Sequence, residues 1–390
     1  MLSTNAAMET MGLSNRSSKM VPTVTLVIFE GGLAQGTLEA QMQMVRLGMV
    51  LDLVDRAQQG GFNQIVVVTS YPELHSRLET ANVQVVLKED IDDEPFHFGR
   101  RLRDVVDQYH LEKVLYMGGA AAPLISSFEL QYLRELLEQN EEVLLANNYY
   151  SADIVGFSPG NALKRINLPP IDNTLALALS NEGGLRSIPI QRSLGLNFDV
   201  DTPSDVLIMS VHPSLGVHTR AAVQGLNWDF SRYGEIKNLL SNPLGELIIY
   251  GRVGSNLFQY LDVNTRCRLR LYSEERGMKS LGRDARGEVR TLMGKLIEEL
   301  GYRKFFQFLA ELAQGAVLDT RVLFEHFQWK LSATDRFASD LGEVELITHP
   351  SLREFTQAAM EAPIPVLLGG HSLVAGGLWA LVDAGSKGTD

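Results

Sequence analysis

Short apolar runs alternate with longer stretches of helical periodicity between residues 21 and 158. The runs predict β-strands and the periodic stretches predict α-helices. Expected strands cover 23–29, 64–69, 83–87, 113–117, 142–147 and 153–158, and expected helices cover 37–59, 71–81, 98–109 and 126–140. Because several of the strands are apolar throughout, both faces of their sheet should be buried. The pattern therefore predicts an α/β fold with a mainly parallel sheet and helices on both faces.

The pattern changes after about His212, where helical periodicity dominates. One strand is expected at 245–250, helices at 286–300, 303–313, 322–330 and 351–361, and a short strand, a turn and a helix within 365–382. A chain of 390 residues exceeds one typical core. The predicted organisation is a flexible tail (1–20), an α/β domain (21–212) and a mainly helical domain (213–390), with a boundary near 212–218.

Composition narrows the class of protein. The net charge of -12 and the pI near 5.2 argue against coating of nucleic acid. The chain contains no run of 18 apolar residues, so no membrane-spanning helix is expected. Its single cysteine, Cys267, excludes an internal disulfide and suits a reducing compartment. We expect a soluble, cytoplasmic protein without a nucleic-acid or membrane partner, and homo-oligomerisation stays open.

The segment from Gly195 to Val206 is the most informative part of the sequence. A short buried strand is expected over 196–200, followed directly by a helix. Thr202 is placed as the N-cap of that helix, with Pro203 at its first position and Asp205 three residues after the cap.

Asp199 and Asp201 then lie at the carboxyl end of a strand, where α/β sheets bind their ligands. Two carboxylates at this spacing share one face and suit a hard cation such as Mg²⁺. The alternative is that Asp201 helps to cap the helix while Asp199 bonds to a loop.

Three loops after predicted strands are candidates for the same site. Glycines in the first two loops would let the backbone approach a nucleotide, and polar side chains in the third would bind it or a metal. The candidates are Gly31, Gly32 and Gly36 in the first loop, Gly118 and Gly119 in the second, and Asn147, Asn148 and Asp153 in the third. The alternatives are structural turns and a polar turn that bonds to its own backbone.

Residues 251–305 carry 12 Lys or Arg against 7 Asp or Glu, in contrast to the acidic chain as a whole. Arg266, Arg268 and Arg270 alternate, so on a strand they would share one face suited to phosphate or carboxylate groups. Pairing with nearby carboxylates is the alternative.

The sequence Gly370-His371-Ser372-Leu373-Val374 is close to the nucleophile turn of α/β-hydrolases. Val374 stands where that turn needs glycine, and no histidine follows the serine in the chain. A serine hydrolase is therefore not expected, although His371 and Ser372 remain candidates for lining a ligand pocket.

The segment Asp199-Val-Asp-Thr-Pro-Ser-Asp205 resembles the "D-V-D-T-P-E-D-L" signature of the 2-phospho-lactate guanylyltransferase and molybdenum-cofactor guanylyltransferase families. The resemblance covers roughly residues 22–212. It implies a GT-A-like, Rossmann-related fold that transfers a nucleoside monophosphate to a phosphorylated small molecule. Those families carry a metal-binding Asp where Ala121 stands here, and basic residues in the first loop, which this chain lacks.

Two hypotheses follow. The chain is a divergent nucleotidyltransferase-like protein that binds a nucleotide and a small anionic metabolite, with Asp153, Asp199 or Asp201 as replacement ligands for Mg²⁺. Alternatively, it is a non-catalytic nucleotide- or metabolite-binding regulator that kept the fold and lost the metal site.

Overall fold

The computed structural model describes residues 23–78, 83–87, 96–149, 152–279 and 281–386. The predicted tail and the end of the helix expected at 71–81 lie outside these residues.

The first half of the chain is built on a seven-stranded sheet with the order β3-β2-β1-β4-β6-β5-β7. Neighbouring strands are parallel except at β6, which is antiparallel to both β4 and β5. The strands are β1 (Val24–Glu30), β2 (Gln64–Thr69), β3 (Gln84–Leu87), β4 (Lys113–Gly118), β5 (Val143–Ala146), β6 (Ile154–Ser158) and β7 (Arg186–Ser187). The predicted α/β fold with a mostly parallel sheet is confirmed.

Helices flank this sheet, and most of them match the hydrophobic pattern. They are α1 (Thr37–Gln59), α2 (Pro72–Leu78), α3 (Phe98–Gln108), α4 (Ser127–Gln139), α5 (Leu175–Asn181), α6 (Leu194–Asn197) and α7 (Pro203–Ser210). Separate apolar clusters fill the two faces of the sheet. This burial on both faces explains why its central strands are apolar throughout.

The strand expected over 196–200 is wrong. Ser193 Oγ accepts a hydrogen bond from the N–H of Leu196 and caps the single helical turn α6, so the chain enters this segment as a helix. Only Asp199 then pairs, through an isolated antiparallel bridge to Ala121. The helix start is confirmed, because Thr202 and Asp205 form the expected capping box and Pro203 is the first residue of the helix.

The second half contains a four-stranded, fully parallel sheet with the order β11-β10-β8-β9. Its strands are β8 (Glu246–Gly251), β9 (Arg268–Ser273), β10 (Gly315–Asp319) and β11 (Val366–Gly369). The sequence pattern indicated β8 and β11. It considered β9 only as a condition for the arginine face, and it missed β10. This five-residue apolar run directly follows a helix, and so short a run carries no helix-or-strand signal of its own.

Helices outnumber strands in this half. They are α8 (Val217–Gln224), α9 (Ser231–Leu240), α10 (Ser255–Asn264), α11 (Leu292–Leu300), α12 (Tyr302–Leu312), α13 (Thr320–His326), α14 (Ala333–Leu341), α15 (Pro350–Met360) and α16 (Gly376–Ser386). The helix expected from residue 286 begins only at Leu292, because Thr291 Oγ1 accepts from the N–H of Gly294 and caps it there.

One hydrophobic cluster joins the two halves. It contains Met42 and Val45 of α1, Ile208 of α7, and the buried strands of the second sheet. Ser204 Oγ on α7 also donates a hydrogen bond to the carbonyl of Leu368 on β11. The domain boundary near 212–218 remains a prediction, because apolar packing is continuous across it.

No helix among the described residues combines the length and the apolar character needed to cross a bilayer.

Candidate functional site

A cavity of about 420 Å³ opens at the carboxyl ends of β1, β2 and β4. This is the edge of a parallel sheet at which α/β proteins bind ligands, and the volume lies within the range of small-molecule sites. The lining residues come from the strand ends, from α3 and from the segment before α5: Phe29, Glu30, Gly31, Gly32, Val68, Thr69, Ser70, Phe96, Phe98, Arg101, Tyr116, Pro170, Ile171 and Asp172.

Three aromatic rings form one wall of the cavity. Phe29, Phe98 and Tyr116 contact one another edge to face, with centroid distances of 5.7, 5.5 and 4.9 Å. The hydroxyl of Tyr116 donates to Asp172 Oδ2 at 3.0 Å. This arrangement places a rigid apolar surface beside an oriented carboxylate. Such a surface suits a flat ligand that carries polar groups at its edge.

Glu30 is the most unusual group in the cavity. It is the last residue of β1, its side chain is 4% exposed, and its Oε1 has no hydrogen-bond partner among the described residues. The nearest cation is Arg46, whose Nη1 lies 3.9 Å from Oε1. Burial raises the pKa of Glu30 to about 7, and Arg46 opposes that rise. Gly119 leaves room for this side chain, since a Cβ there would lie 2.4 Å from Glu30 Oε2.

Sequence reasoning placed Glu30 at the start of a glycine loop and gave it no role. One feature of the sequence could have marked Glu30 as a buried acid: it ends a strand whose other residues are almost all apolar.

The structure brings the backbones of Asp153 and Asp199 to the end of β4, and the charge of Asp201 acts on both side chains. The N–H of Gly118, at the end of β4, donates to the carbonyl of Asp153, and Ala121 just beyond it pairs with Asp199. Burial raises the pKa of Asp153 to about 7, with further contributions from Asp172 and Asp201. The pKa of Asp199 is raised well above its ordinary range by burial and then by the charges of Asp201 and Asp153.

Asp153, Asp199 and Asp201 stay the predicted ligands of a divalent cation, although they do not form a group of three with ligand atoms within 4.8 Å of one another. After burial, the charged groups with the largest effect on the pKa of Asp153 and Asp199 are other carboxylates. Carboxylate oxygens are the ligands preferred by Mg²⁺. Ser372 Oγ donates to Asp199 Oδ1 at 2.9 Å and orients it, which gives the serine of the Gly-His-Ser sequence a positioning role.

Ala121 occupies the position at which the resembling families carry a metal-binding Asp. Because Ala121 and Asp199 are opposite each other in an antiparallel bridge, their Cβ atoms lie on the same side, about 5 Å apart. The carboxylate of Asp199 therefore stands next to the position that Ala121 leaves without one.

The glycines of the first loop lie in two different environments. Gly31 and Gly32 line the cavity, and Gly32 has a φ of 123° that favours glycine. Gly36 is the N-cap of α1, but a Cβ there would lie 2.9 Å from Thr334 Oγ1 on α14.

The N-terminus of α1 already holds a carboxylate from the chain itself. Glu39 Oε2 accepts from the N–H of Gln35 at 2.6 Å, and its Oε1 accepts from Thr334 Oγ1 at 3.0 Å. An anionic ligand would have to compete with Glu39 at this position.

The polar loop after β5 is mainly structural. Asn147 donates to the carbonyl of Leu196 at 3.2 Å and accepts from the N–H of Ile154 at 3.3 Å. Asn148 is exposed. Asn147 therefore helps to hold Asp153 and α6 in place, which matches the polar-turn alternative for the amide.

The predicted arginine face is distant in register from the acidic group. Arg268 and Arg270 lie near the amino end of β9 and pair with Glu246 on β8, at 2.7 and 3.2 Å. Arg266 precedes the strand and is exposed. The pairing alternative holds for two of the three arginines.

Among the described residues, one group of three potential ligands, Asp52, Asp55 and His218, has ligand atoms within 4.8 Å of one another, and Asp153, Asp199 and Asp201 do not form such a group. Asp52 accepts from the backbone N–H groups of His218 and Thr219 and from the Thr219 hydroxyl, so it caps α8. These bonds account for its position without a metal.

No family model matches the chain, and no curated protein matches its sequence. A solved cytidylyltransferase from Leptospira borgpetersenii is 15% identical and covers 53% of this chain and 98% of its own, with a TM-score of 0.39.

Two other solved structures are similar over 47% of this chain. The CMP:2-keto-3-deoxy-manno-octonic acid synthetase complexed with CTP is 15% identical over 94% of its own length, with a TM-score of 0.34. The 4-diphosphocytidyl-2C-methyl-D-erythritol synthase from Anaerococcus prevotii is 12% identical over 92% of its own length, also with a TM-score of 0.34.

Proposed function

We propose that the chain binds a nucleoside triphosphate in the 420 Å³ cavity and transfers its nucleoside monophosphate to a phosphorylated small molecule. The nucleoside occupies the space beside the aromatic wall, and the phosphates extend toward Asp153, Asp199 and Asp201. These three carboxylates hold a divalent cation, with Mg²⁺ as the expected ion.

The observation that carries this proposal is the position of Asp172. Its side chain lines the cavity, and its charge acts on the buried Asp153. The charge of Asp201 in turn raises the pKa of Asp172. These electrostatic interactions support the proposal that the cavity and the acidic group act as one site.

The chemistry is an in-line displacement. A phosphate oxygen of the acceptor attacks the α-phosphorus, the bond from that phosphorus to the bridging oxygen breaks, and pyrophosphate leaves. A bound cation would neutralise charge that develops on the phosphates. The residues of the chain position the reactants: Tyr116 orients Asp172, and Ser372 orients Asp199.

Calorimetric titration with each of the four nucleoside triphosphates, with and without Mg²⁺, tests the proposal together with an assay of pyrophosphate release. We expect binding that depends on the cation, and release that needs a phosphorylated acceptor. Asp199→Asn keeps the bond to Ser372 but removes one charged ligand, and it should reduce turnover by about 100-fold or more, the scale at which one electrostatic partner of a transition state acts.

Asp262→Asn is the matched control. Asp262 is exposed on α10, so this substitution removes the same charge at a position outside the acidic group. Equal activity of the Asp199 and Asp262 variants would refute the role of the acidic group.

One observation favours a second function, which is binding without catalysis. Glu39 fills the N-terminus of α1, and the loop before it carries no Lys or Arg to hold a triphosphate. A regulatory protein that binds a nucleoside or nucleotide in the same cavity would need neither. Binding that is indifferent to Mg²⁺, without pyrophosphate release, would favour this function over transfer.

A further inference from the structure

A second cavity lies in the segment that connects the two sheets. It has a volume of about 240 Å³ and is enclosed by the end of α7, by α8 and by the loop before α9. Asp199 and Asp201 precede the first turn of α7, whereas Ser210, the last residue of this helix, lines the cavity. Eight helical residues span about 12 Å, so the cavity is separate from the proposed nucleotide site.

Four apolar side chains form one side of the cavity. Leu215, Val223 and Leu226 are buried and belong to the hydrophobic cluster that joins the two halves of the chain. Phe230 is partly buried and packs against the same cluster. Because these residues are part of a close-packed core, the apolar side of the cavity is formed before any ligand binds.

Three polar side chains complete the lining, and Arg220 is the charged residue among them. Ser210 and Arg220 are partly buried and Gln224 is exposed, so the polar groups lie toward the opening. Arg220 and Gln224 are four residues apart on α8, which places their side chains next to each other on one face of the helix.

The guanidinium of Arg220 is held at one nitrogen and open at the other two. Its Nη2 lies 3.3 to 3.5 Å from the carbonyl oxygens of His212, Pro213 and Leu215, at the long end of hydrogen-bond distances. Among the described residues, no carboxylate forms an ion pair with Arg220, and its Nε and Nη1 have no hydrogen-bond partner although neither atom is enclosed by the protein. Donors of a fixed cation are therefore available at the cavity.

The volume of the cavity sets the size of a ligand. Benzene, with its six carbons, occupies an engineered apolar cavity of about 150 Å³, or about 25 Å³ for each non-hydrogen atom. At this ratio a cavity of 240 Å³ holds about ten non-hydrogen atoms. The cavity is thus too small for a nucleotide and suits a small metabolite.

We infer that this cavity binds a small organic acid, a monocarboxylate with an apolar body of about eight carbon atoms. The carboxylate pairs with the open N–H groups of Arg220 and accepts from the amide of Gln224, and the body lies against the apolar side. A charge-assisted hydrogen bond to a partly buried guanidinium is stronger than a neutral one. A single cation in the lining favours one negative charge over a phosphate dianion. The inference does not depend on nucleotidyl transfer.

Calorimetric titration of the full chain with four probes tests the site. Octanoate and phenylacetate match the expected size and charge, octan-1-ol lacks the carboxylate, and acetate lacks the apolar body. We expect saturable binding of one equivalent of octanoate or phenylacetate, about tenfold or more tighter than that of octan-1-ol or acetate. Tighter binding of phenylacetate would assign an aromatic acid, and tighter binding of octanoate an aliphatic one.

Two variants report on the residues. Gln224→Glu changes an exposed position, and its carboxylate pairs with Arg220 one helical turn away, so it should weaken binding of the acid by about tenfold or more. Ala221→Glu is the matched control, because it adds the same charge at an exposed position of α8 outside the lining and should change affinity by less than about twofold. Arg220→Gln should bind octanoate no more tightly than octan-1-ol.

Three results would overturn the inference: no saturable binding of either acid, equal affinity of the parent protein for octanoate and octan-1-ol, or equal loss in Gln224→Glu and Ala221→Glu. Failure of this site is distinguishable from failure of the transfer reaction, since Asp199→Asn should abolish turnover while binding of the acid persists.

Discussion

The two sheets of this protein, one mostly parallel and one fully parallel, present edges of opposite electrostatic character. At the first edge Asp153 and Asp199 lie among other carboxylates, and burial raises the pKa of both. At the second edge Arg252 neutralises Asp319, while Arg276 and Lys279 remain as excess positive charge. Similar strand ends therefore carry opposite charge: carboxylates gather at the first edge, and exposed Arg276 and Lys279 lie at the second.

The comparison also separates charge that stabilises the fold from charge that does not. A buried carboxylate with a bidentate guanidinium partner holds its edge together, whereas an unpaired buried carboxylate lowers stability when it ionises. Substitutions at the two edges should therefore change the free energy of unfolding with opposite signs.

The largest effect is expected at the second edge. Asp319→Asn leaves the buried guanidinium of Arg252 without a counter-charge, which should lower the free energy of unfolding by about 3 to 5 kcal/mol. Urea denaturation followed by circular dichroism measures this loss of free energy. Glu288→Gln breaks the exposed pair with Arg286 and is the control, expected to cost less than about 1 kcal/mol. A similar loss in both variants would show that the buried pair of Arg252 and Asp319 stabilises the fold no more than an exposed ion pair does.

At the first edge the sign should reverse and depend on pH. The folded pKa of Glu30, about 7, lies above its ordinary value of 4.5, so between these values the native state holds a proton that the unfolded chain has lost. Its contribution is favourable at low pH and is lost as pH rises through 7. Glu30→Gln should match the parent protein near pH 4 and exceed its stability by about 2 to 3 kcal/mol at pH 8.

Urea midpoints at the two pH values give this difference directly. Because the other raised carboxylates titrate in both proteins, only the difference between parent and variant reports on Glu30. Parallel pH profiles would mean that Glu30 is not buried as an uncompensated acid.

The smallest effect is expected away from both edges. Glu246→Gln removes the partner of Arg268 and Arg270 on the open strand β9, where the ion pairs are partly exposed. It should change the free energy of unfolding by less than about 1 kcal/mol. It also frees the predicted arginine face, so phosphate affinity in this variant tests the anion-binding prediction for those residues. A rise in affinity that Arg268→Gln reverses would support that prediction.

Local sequence signals predicted much of the first half of the chain. The bounds of α1 and β2 match the hydrophobic pattern at both ends, and the capping box of Thr202 and Asp205 marks the start of α7. These features depend on residues a few positions apart, so they are visible in a single sequence. The four-residue turn α6 was predicted as a strand because its apolar residues fit either structure and its cap at Ser193 was overlooked.

The sequence by itself determined the α/β character, the glycine turns at the strand ends and the candidate carboxylates Asp153, Asp199 and Asp201. Only the tertiary structure decided how they combine: Asp199 stands beside Ala121, Glu30 is buried next to Gly119, and Glu39 occupies the helix terminus that seemed open to phosphate. The physical reason is that burial and charge balance depend on neighbours far apart in the chain, which local periodicity does not encode.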